Sequence, residues 1–200
     1  MEKIKELWKN EYFKTLIMIL IVILAFLTFW FGSRAIFKTD SPYLAVSSGS
    51  MVPTLNIGDL IVIQGGLNGS EIKAGYYNPN NSSEGGDIIV FHKPGNPSEL
   101  IVHRVVRKYY DEKLKKWFFI TKGDNNPSED PWNPVPEDYV LGKVIFKVPY
   151  LGSVALFMQS TAGKVLLAVV IVITILWMFL SPEEKQEAAH EEQDLNVNYL

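Results

Sequence analysis

The chain has 200 residues, with 19 lysines and arginines against 22 aspartates and glutamates, and a net charge of −3 at pH 7. It contains no cysteine, which excludes disulfides, thiolate zinc sites and a cysteine nucleophile. The sequence has no block of basic residues of the kind that indicates a nucleic acid partner.

The first predicted element is a membrane anchor over residues 15–33. No residue from Thr15 to Ser33 is charged, and the stretch is long enough to cross a hydrocarbon core of about 30 Å at about 1.5 Å per residue. The sequence FGSRAIF offers no small-x-small cleavage site, so we expect a retained anchor. Basic residues favour a cytoplasmic N-terminus over residues 1–14. They are Lys3, Lys5, Lys9 and Lys14 before the segment, and Arg34 and Lys38 after it.

Residues 40–150 are predicted to fold as a small antiparallel β domain, barrel-like or sandwich-like. Their apolar segments are short, rich in branched and aromatic residues, and separated by Gly, Pro, Asn and Asp. Residues 64–86 form a polar insert that we expect to be a surface loop, with glycosylation triplets at Asn68, Asn80 and Asn81. The predicted strands are Asp59–Ile63, Asp87–His92, Leu100–Arg107, Lys116–Ile120 and Tyr139–Phe146.

A second membrane helix is predicted over residues 156–180. The sequence between Lys164 and Glu183 is uncharged and apolar, and mostly apolar residues precede it. With two crossings, the acidic tail of residues 181–200 returns to the cytoplasmic side, and the β domain faces the opposite side.

The string SSGSMVPTLNIGD predicts a turn at Ser50, because Gly49 permits unusual backbone angles and Pro53 ends regular pairing. A hydroxyl at such a corner is exposed and orientable, as a nucleophile requires. Ser48 could direct a second hydroxyl at the substrate carbonyl group that Ser50 would attack. The alternative is a Ser/Gly turn without chemistry, which composition alone leaves open.

A serine nucleophile needs a base, and the chain has three histidines. His103 shares a strand face with Ile101 and Val105, where desolvation favours the neutral imidazole that a general base requires. His92 is the second candidate, and His190 lies in the acidic tail. For both strand histidines the alternative is a core residue with satisfied hydrogen bonds.

Two carboxylates follow in the string TKGDNNPSEDPW, namely Asp124 and Asp130. One of them could accept the Nδ1–H of the histidine and stabilise the imidazolium that forms. The other could simply hold the turn, as aspartates commonly do. The residues alone leave this division open.

The strings SSGSMVPTL, GDIIVF, VHRVV and TKGDNN followed by Asp130 resemble the successive sequence boxes of the signal peptidase I family. The resemblance is to the archaeal and endoplasmic-reticulum branch, since the common bacterial enzymes carry a lysine where this chain has His103. It implies Ser50 as nucleophile, His103 as base, Asp130 as the acid that orients it, and Asp124 as a nearby essential or structural acid. It also implies an oxyanion hole from Ser50 N–H and the Ser48 hydroxyl, and contact of Met51 with substrate.

The resemblance implies a mainly β catalytic domain flanked by two transmembrane helices. The implied activity is that of a membrane-bound serine endopeptidase, with no cofactor or metal, which cleaves signal peptides at small-x-small sites. Its partners would be preproteins, the lipid bilayer of the plasma membrane or endoplasmic reticulum, and the translocation machinery. The alternatives are a non-catalytic, signal-peptide-binding subunit of a processing complex, and a self-cleaving regulator. The regulator is disfavoured because such proteins use a lysine base and a DNA-binding module.

Overall fold

The structure is a computed structural model that describes residues 11–79 and 85–180. The glycosylation triplets that begin at Asn80 and Asn81 and the predicted acidic tail of residues 181–200 lie outside the described residues, as do residues 1–10 of the predicted cytoplasmic N-terminus. Its contacts divide the chain into two compact units, which meet between Val154 and Ala155 in the sequence.

The first unit begins with helix α1, Glu11–Phe37, which extends beyond the predicted anchor at both ends. Its segment Phe13–Phe37 has a mean hydropathy of 2.6 and is long enough to cross a membrane. The end of α1 is attached to the following domain, because the carbonyl of Phe37 accepts a hydrogen bond from Gly65 N–H at 2.8 Å. The ring of Tyr43 stacks on Phe29 at 6.0 Å and meets Phe37 edge-on at 6.1 Å.

The rest of the first unit is built on a seven-stranded sheet in which every pairing is antiparallel, and this confirms the predicted β fold. The strand order across the sheet is β1-β2-β7-β3-β4-β5-β6. The short edge strands β1 and β6 were not predicted. The strands are β1 Tyr43–Ala45, β2 Leu60–Gln64, β3 Ile88–Lys93, β4 Asn96–Asp111, β5 Lys116–Lys122, β6 Val135–Pro136 and β7 Val140–Val148.

Strand β4 is twice as long as predicted, with 16 residues, because it begins at Asn96 in the hairpin with β3 and continues past Arg107 in the hairpin with β5. Stacking of Tyr109 on Phe118 and packing of Tyr110 on Trp117 support the added length.

Two clusters of buried apolar side chains form the core. The first lies around the Ser50 turn and contains Val46, Met51, Leu55, Ile61, Ile63 and Val90. The second lies against β5 and contains Ile72, Ile89, Phe91, Val105, Phe119 and Val135. Strand β3 contributes to both, since neighbouring residues of a strand face opposite sides.

The C-terminal residues form two helices rather than the single helix predicted from residue 156. Helix α2 covers Leu151–Gln159 and helix α3 covers Thr161–Leu180, with a bend of 80° between them. Ser160 causes the break: its hydroxyl donates to the carbonyl of Phe157 at 2.6 Å and accepts from Gly163 N–H at 3.1 Å. Counted together as one broken span, Leu151–Gln159 and Thr161–Trp177 meet the length and hydropathy of a membrane crossing.

Candidate active site

Ser50 and His103 lie within hydrogen-bond distance of each other. The Ser50 turn follows β1, and His103 projects from the middle of β4. The distance between Ser50 Oγ and His103 Nε2 is 3.1 Å. His103 is only 4% exposed, whereas Ser50 is half-buried and lines a cavity. The predicted nucleophile and base are therefore brought together, although they are far apart in the sequence.

The other ring nitrogen of His103 faces Asp130. The distance from His103 Nδ1 to Asp130 Oδ2 is 2.6 Å, and both side chains are buried. A neutral imidazole with its proton on Nδ1 would donate to this carboxylate and leave Nε2 free to accept the Ser50 proton. Of the two predicted acids, Asp130 is the one in contact with the histidine.

Asp130 is held by strand β5 and the loop that follows it. Thr121 is fully buried, and its hydroxyl donates to Asp130 Oδ2 at 2.7 Å. The backbone N–H of Asp130 donates to the carbonyl of Thr121 at 3.0 Å. Asn133 in turn exchanges two hydrogen bonds with the Thr121 backbone, at 3.0 and 2.9 Å. The carboxylate is thus fixed by backbone and side-chain contacts before any substrate arrives.

Trp132 packs against the base. Its ring and the His103 ring are nearly parallel, with planes 15° apart and centroids at 6.3 Å, and the ammonium of Lys93 lies 4.9 Å from the indole centroid. The indole Nε1 is buried without a hydrogen-bond partner among the described residues. Sequence reasoning missed Trp132 and Thr121; their only signal was their position within two residues of an expected acid or its turn.

The turn Gly123–Asn126 supports the backbone of Ser50. Asn125 N–H donates to the carbonyl of Ser50 at 2.8 Å, and the Asn125 side-chain amide donates to the carbonyl of Gly49 at 3.1 Å. A Cβ on Gly123 would lie only 2.7 Å from the Ser50 carbonyl oxygen, so this close approach requires glycine.

Asp124 makes a different pair, with Arg104. The guanidinium donates to both carboxylate oxygens at 2.8 and 2.7 Å, and Thr54 donates to the same carboxylate at 2.6 Å. Arg104 also donates to the carbonyl of Gly86 at 2.6 Å. The two charged side chains are nearly inaccessible to solvent. Asp124 therefore connects the Ser50 turn to β4 without touching His103.

The three remaining candidates take different positions. Ser48 Oγ lies 3.4 Å from Ser50 Oγ and lines the same cavity. Met51, expected to contact substrate, is fully buried in the first core cluster and does not line the cavity, so it lies beneath the site. His92 Nδ1 lies 2.6 Å from the carbonyl of Pro97 and forms no hydrogen bond with the Ser50 group.

The cavity beside Ser50 has a volume of about 200 Å³. Residues 44–48 form one wall, residues 100–103 form the other, and Ile61 and Val90 are buried at its base. In the described sheet β1 pairs only with β2, and β4 pairs with β5 only from Arg104 onward. Both walls therefore present a strand edge that has no partner strand among the described residues.

One charged cluster lies beside the loop that carries Asp130. The hydroxyl of Tyr76 donates to Glu129 at 2.8 Å and Arg107 donates to the same carboxylate at 2.6 Å. These two donors, Tyr76 first, lower the pKa of Glu129 from its usual value. The carboxylate in turn raises the pKa of both the Tyr76 hydroxyl and the Arg107 guanidinium.

Taken together, a hydroxyl, a histidine and a carboxylate in hydrogen-bonded sequence can carry out nucleophilic acyl transfer. No group of three or more His, Cys, Asp or Glu side chains suited to a metal ion occurs in the described part of the chain.

Comparison with known proteins also indicates a peptidase. Residues 9–107 match the family described as "Signal peptidase, peptidase S26". The match includes Ser50 and His103 and ends before Asp124 and Asp130.

Curated relatives extend this match. The signal peptidase complex catalytic subunit SEC11 of Lachancea thermotolerans is 30% identical over 139 residues, which cover 66% of this chain and 74% of that protein. The protein of the same name from Zygosaccharomyces rouxii is 31% identical over 139 residues, with the same two coverages. That of Komagataella phaffii is 33% identical over 106 residues, which cover 51% of this chain and 53% of that protein.

Proposed function

Because this chain belongs to the signal peptidase family, peptidase S26, we propose that it is a membrane-bound serine endopeptidase that cleaves N-terminal signal peptides from preproteins. The observation that carries the proposal is the hydrogen-bonded line from Asp130 through His103 to Ser50, which ends at the cavity with Ile61 and Val90 at its base. The family gives signal-peptide processing as the general activity, and this line supports the serine mechanism.

In the proposed reaction, Ser50 Oγ attacks the carbonyl carbon of the scissile peptide bond. His103 Nε2 accepts the proton of the hydroxyl, and Asp130 stabilises the imidazolium that results. The imidazolium then gives its proton to the leaving amine, and the signal peptide remains as an ester on Ser50. A water molecule, deprotonated by the same imidazole, releases it.

Negative charge develops on the carbonyl oxygen of the substrate during both steps. The proposed donors to this oxygen are Ser50 N–H and the hydroxyl of Ser48. The position of Ser48 supports its assignment, since its oxygen lies 3.4 Å from Ser50 Oγ at the wall of the cavity.

The substrate is proposed to bind as an extended strand between β1 and β4. Main-chain hydrogen bonds to their unpaired edges would supply affinity. Alternate side chains of an extended peptide face the same side, so the first and third residues before the cut would both face Ile61 and Val90. The small cavity above these buried side chains supports a preference for small residues at both positions.

The apolar helices supply the membrane location. We propose that α1 and the α2–α3 pair hold the β domain on the non-cytoplasmic side of the plasma membrane or endoplasmic reticulum. A signal peptide is itself apolar and lies in the bilayer, so anchoring the enzyme there raises the effective concentration of both partners. Cooperation with the translocation machinery belongs to the same proposal.

The proposal is tested by incubating the detergent-solubilised full-length protein with a preprotein and following release of the signal peptide. Ser50→Ala should lower the rate by about 10⁴-fold or more, as in other serine-triad enzymes. The matched control is Ser70→Ala, because Ser70 is an exposed serine of the same domain in the short 3₁₀ turn Gly69–Glu71. It should leave the rate unchanged.

Processing by the Ser50→Ala protein at the wild-type rate would refute the serine mechanism. Specific binding of signal peptides without any cleavage by the wild-type protein would instead support a non-catalytic subunit.

A further inference from the structure

Asn125 contacts both peptide groups that flank Ser50. Its side-chain Nδ2 donates to the carbonyl of Gly49 at 3.1 Å, and its backbone N–H donates to the carbonyl of Ser50 at 2.8 Å. The residue lies next to Asp124 but takes no part in the Arg104 ion pair. Asn125 takes part in none of the steps of the proposed reaction.

The side-chain contact determines where Ser50 N–H points. The Gly49–Ser50 peptide is trans, and in a planar trans peptide the carbonyl and the following N–H point in opposite directions. Because the Gly49 carbonyl points toward Asn125, Ser50 N–H points away from it. No acceptor for this N–H occurs among the described residues, so it is available to a bound oxyanion.

The same peptide could rotate if the contact were lost. Glycine restricts its neighbouring peptide groups less than any other residue. Apart from Asn125, the Gly49 carbonyl accepts within the described part of the chain only the long turn bond from Val52 N–H, at 3.3 Å. A rotated peptide would withdraw the Ser50 N–H from the oxyanion and present a carbonyl oxygen in its place.

We propose that Asn125 is a positioning residue for the oxyanion hole, which keeps the Gly49–Ser50 peptide oriented with its N–H toward the substrate. The inference rests on the serine mechanism proposed above and adds to it the residue that orients the backbone donor. Asn125 itself touches neither the substrate nor the reacting atoms.

The expected effect falls on kcat. Removing one oxyanion-hole donor typically costs about 10²- to 10³-fold in kcat. Asn125 is solvent-exposed and the turn bond from Val52 remains, so its loss should cost less, about 10- to 100-fold. KM should stay within about threefold, because the donor is used in the transition state and not in ground-state docking.

The first experiment compares Asn125→Asp with the matched control Asn126→Asp in the full-length, detergent-solubilised protein. Aspartate has the shape of asparagine but cannot donate to the Gly49 carbonyl. Asn126 lies in the same turn, and its side chain makes no hydrogen bond to the Ser50 turn among the described residues. Both variants should unfold at the same temperature, while only Asn125→Asp should lose kcat on a signal-peptide substrate.

The second experiment tests peptide rotation directly, by measuring Asn125→Ala alone and together with Gly49→Ala. A Cβ at Gly49 would meet only Val52 Cγ2, at 3.8 Å, so alanine fits there. Alanine also narrows the conformations open to this backbone. The loss caused by Asn125→Ala should therefore be at least about threefold smaller in the Gly49→Ala background.

An Asn125→Asp protein with the kcat of the Asn126→Asp control, or a loss that appears in KM alone, would overturn the inference. So would an equal loss from Asn125→Ala in both Gly49 backgrounds. These outcomes leave the serine mechanism intact, provided that Ser50→Ala abolishes activity. If the wild-type protein has no Ser50-dependent activity, both proposals fall together.

Discussion

Strand β4 carries, side by side, two buried residues that each bond to an aspartate, and comparing them shows what distinguishes a reactive pair from a structural one. His103 pairs with Asp130 and Arg104 pairs with Asp124. Both aspartates come from the loop after β5, and all four side chains are nearly inaccessible to solvent. Since neighbouring strand residues face opposite sides, the two pairs lie on opposite faces of β4.

The difference lies in what remains free after each pair has formed. The guanidinium of Arg104 is used internally, by Asp124, the carbonyl of Gly86 and the hydroxyl of Thr54. His103, by contrast, has a second nitrogen directed at Ser50 beside the cavity. Burial is alike in the two pairs, so the chemistry follows from the atom that each pair leaves available.

The largest expected effect is on the reactive pair. Asp130→Asn should lower kcat by about 10⁴-fold, because the amide cannot hold the imidazole in the required tautomer or stabilise the imidazolium. The fold should persist, since asparagine fills the same space. The measurement is single-turnover cleavage of a signal peptide together with thermal unfolding. An Asp130→Asn protein that cleaves normally would show that His103–Asp130 is not a reactive pair.

The structural pair should respond in stability instead. Asp124→Asn leaves the buried Arg104 charge uncompensated, which should cost about 3–5 kcal/mol in the free energy of unfolding. Replacing both residues with apolar ones, Arg104→Met with Asp124→Leu, should recover most of this loss. Denaturant unfolding in detergent checks both. Full stability of Asp124→Asn with a 10⁴-fold loss of kcat would instead make Asp124 part of the reaction.

His92, a half-buried histidine on the neighbouring strand β3, provides a control for His103. His92→Ala removes the contact with the carbonyl of Pro97 and should cost about 1 kcal/mol of stability. Its kcat should remain at the wild-type value, whereas His103→Ala should abolish cleavage. Measuring kcat of both variants in parallel tests this prediction. Loss of cleavage in His92→Ala but not in His103→Ala would assign the base to His92.

The smallest effect concerns the exposed cluster next to Asp130. Because Tyr76 and Arg107 lower the pKa of Glu129, this carboxylate stabilises the fold at pH values above its unfolded pKa. That contribution is lost as the pH falls through the still lower pKa of the folded state. Unfolding temperatures of the wild-type and Glu129→Gln proteins should therefore differ at neutral pH and converge in acid. A constant difference at all pH values would contradict this assignment.

Much of the fold could be predicted from the sequence because it depends on local pattern. The alternation in segments such as Asp59–Ile63 and Lys116–Ile120 indicates half-buried strands at nearly their observed positions. The edge strand Tyr43–Ala45 escaped prediction, because three residues carry no periodicity and its pairing depends on contacts with β2 and α1. The break at Ser160 depends on a cap inside an otherwise uniform apolar sequence.

The site divides in the same way. The residues alone left Ser50 as a possible plain turn and His103 as a possible core histidine, and the family resemblance selected both; the structure places them 3.1 Å apart. The partner of His103 could not be deduced from the residues alone, since Asp124 and Asp130 lie in one polar loop. Thr121 on β5 fixes that choice by bonding to Asp130, a contact that only the sheet register creates. The resemblance implied contact of Met51 with substrate, but its side chain is buried in the core.

The attachment of α1 to β1, beside the cavity, has a further consequence for the proposed reaction. Tyr43 touches the helix at Phe29 and again at Phe37, two points separated by about 12 Å along the helix axis. These two contacts of one ring, with the hydrogen bond from Gly65 N–H to Phe37, hold the start of the β domain against α1. With α1 in the membrane, as proposed, they would keep Ser50 at a constant height above the bilayer. Helix α1 would thereby help to set the position of the cut relative to the membrane. In the proposed reaction, the bond that is cut would then depend on how many residues separate the substrate's own apolar helix from that height, as well as on the side chains beside the bond.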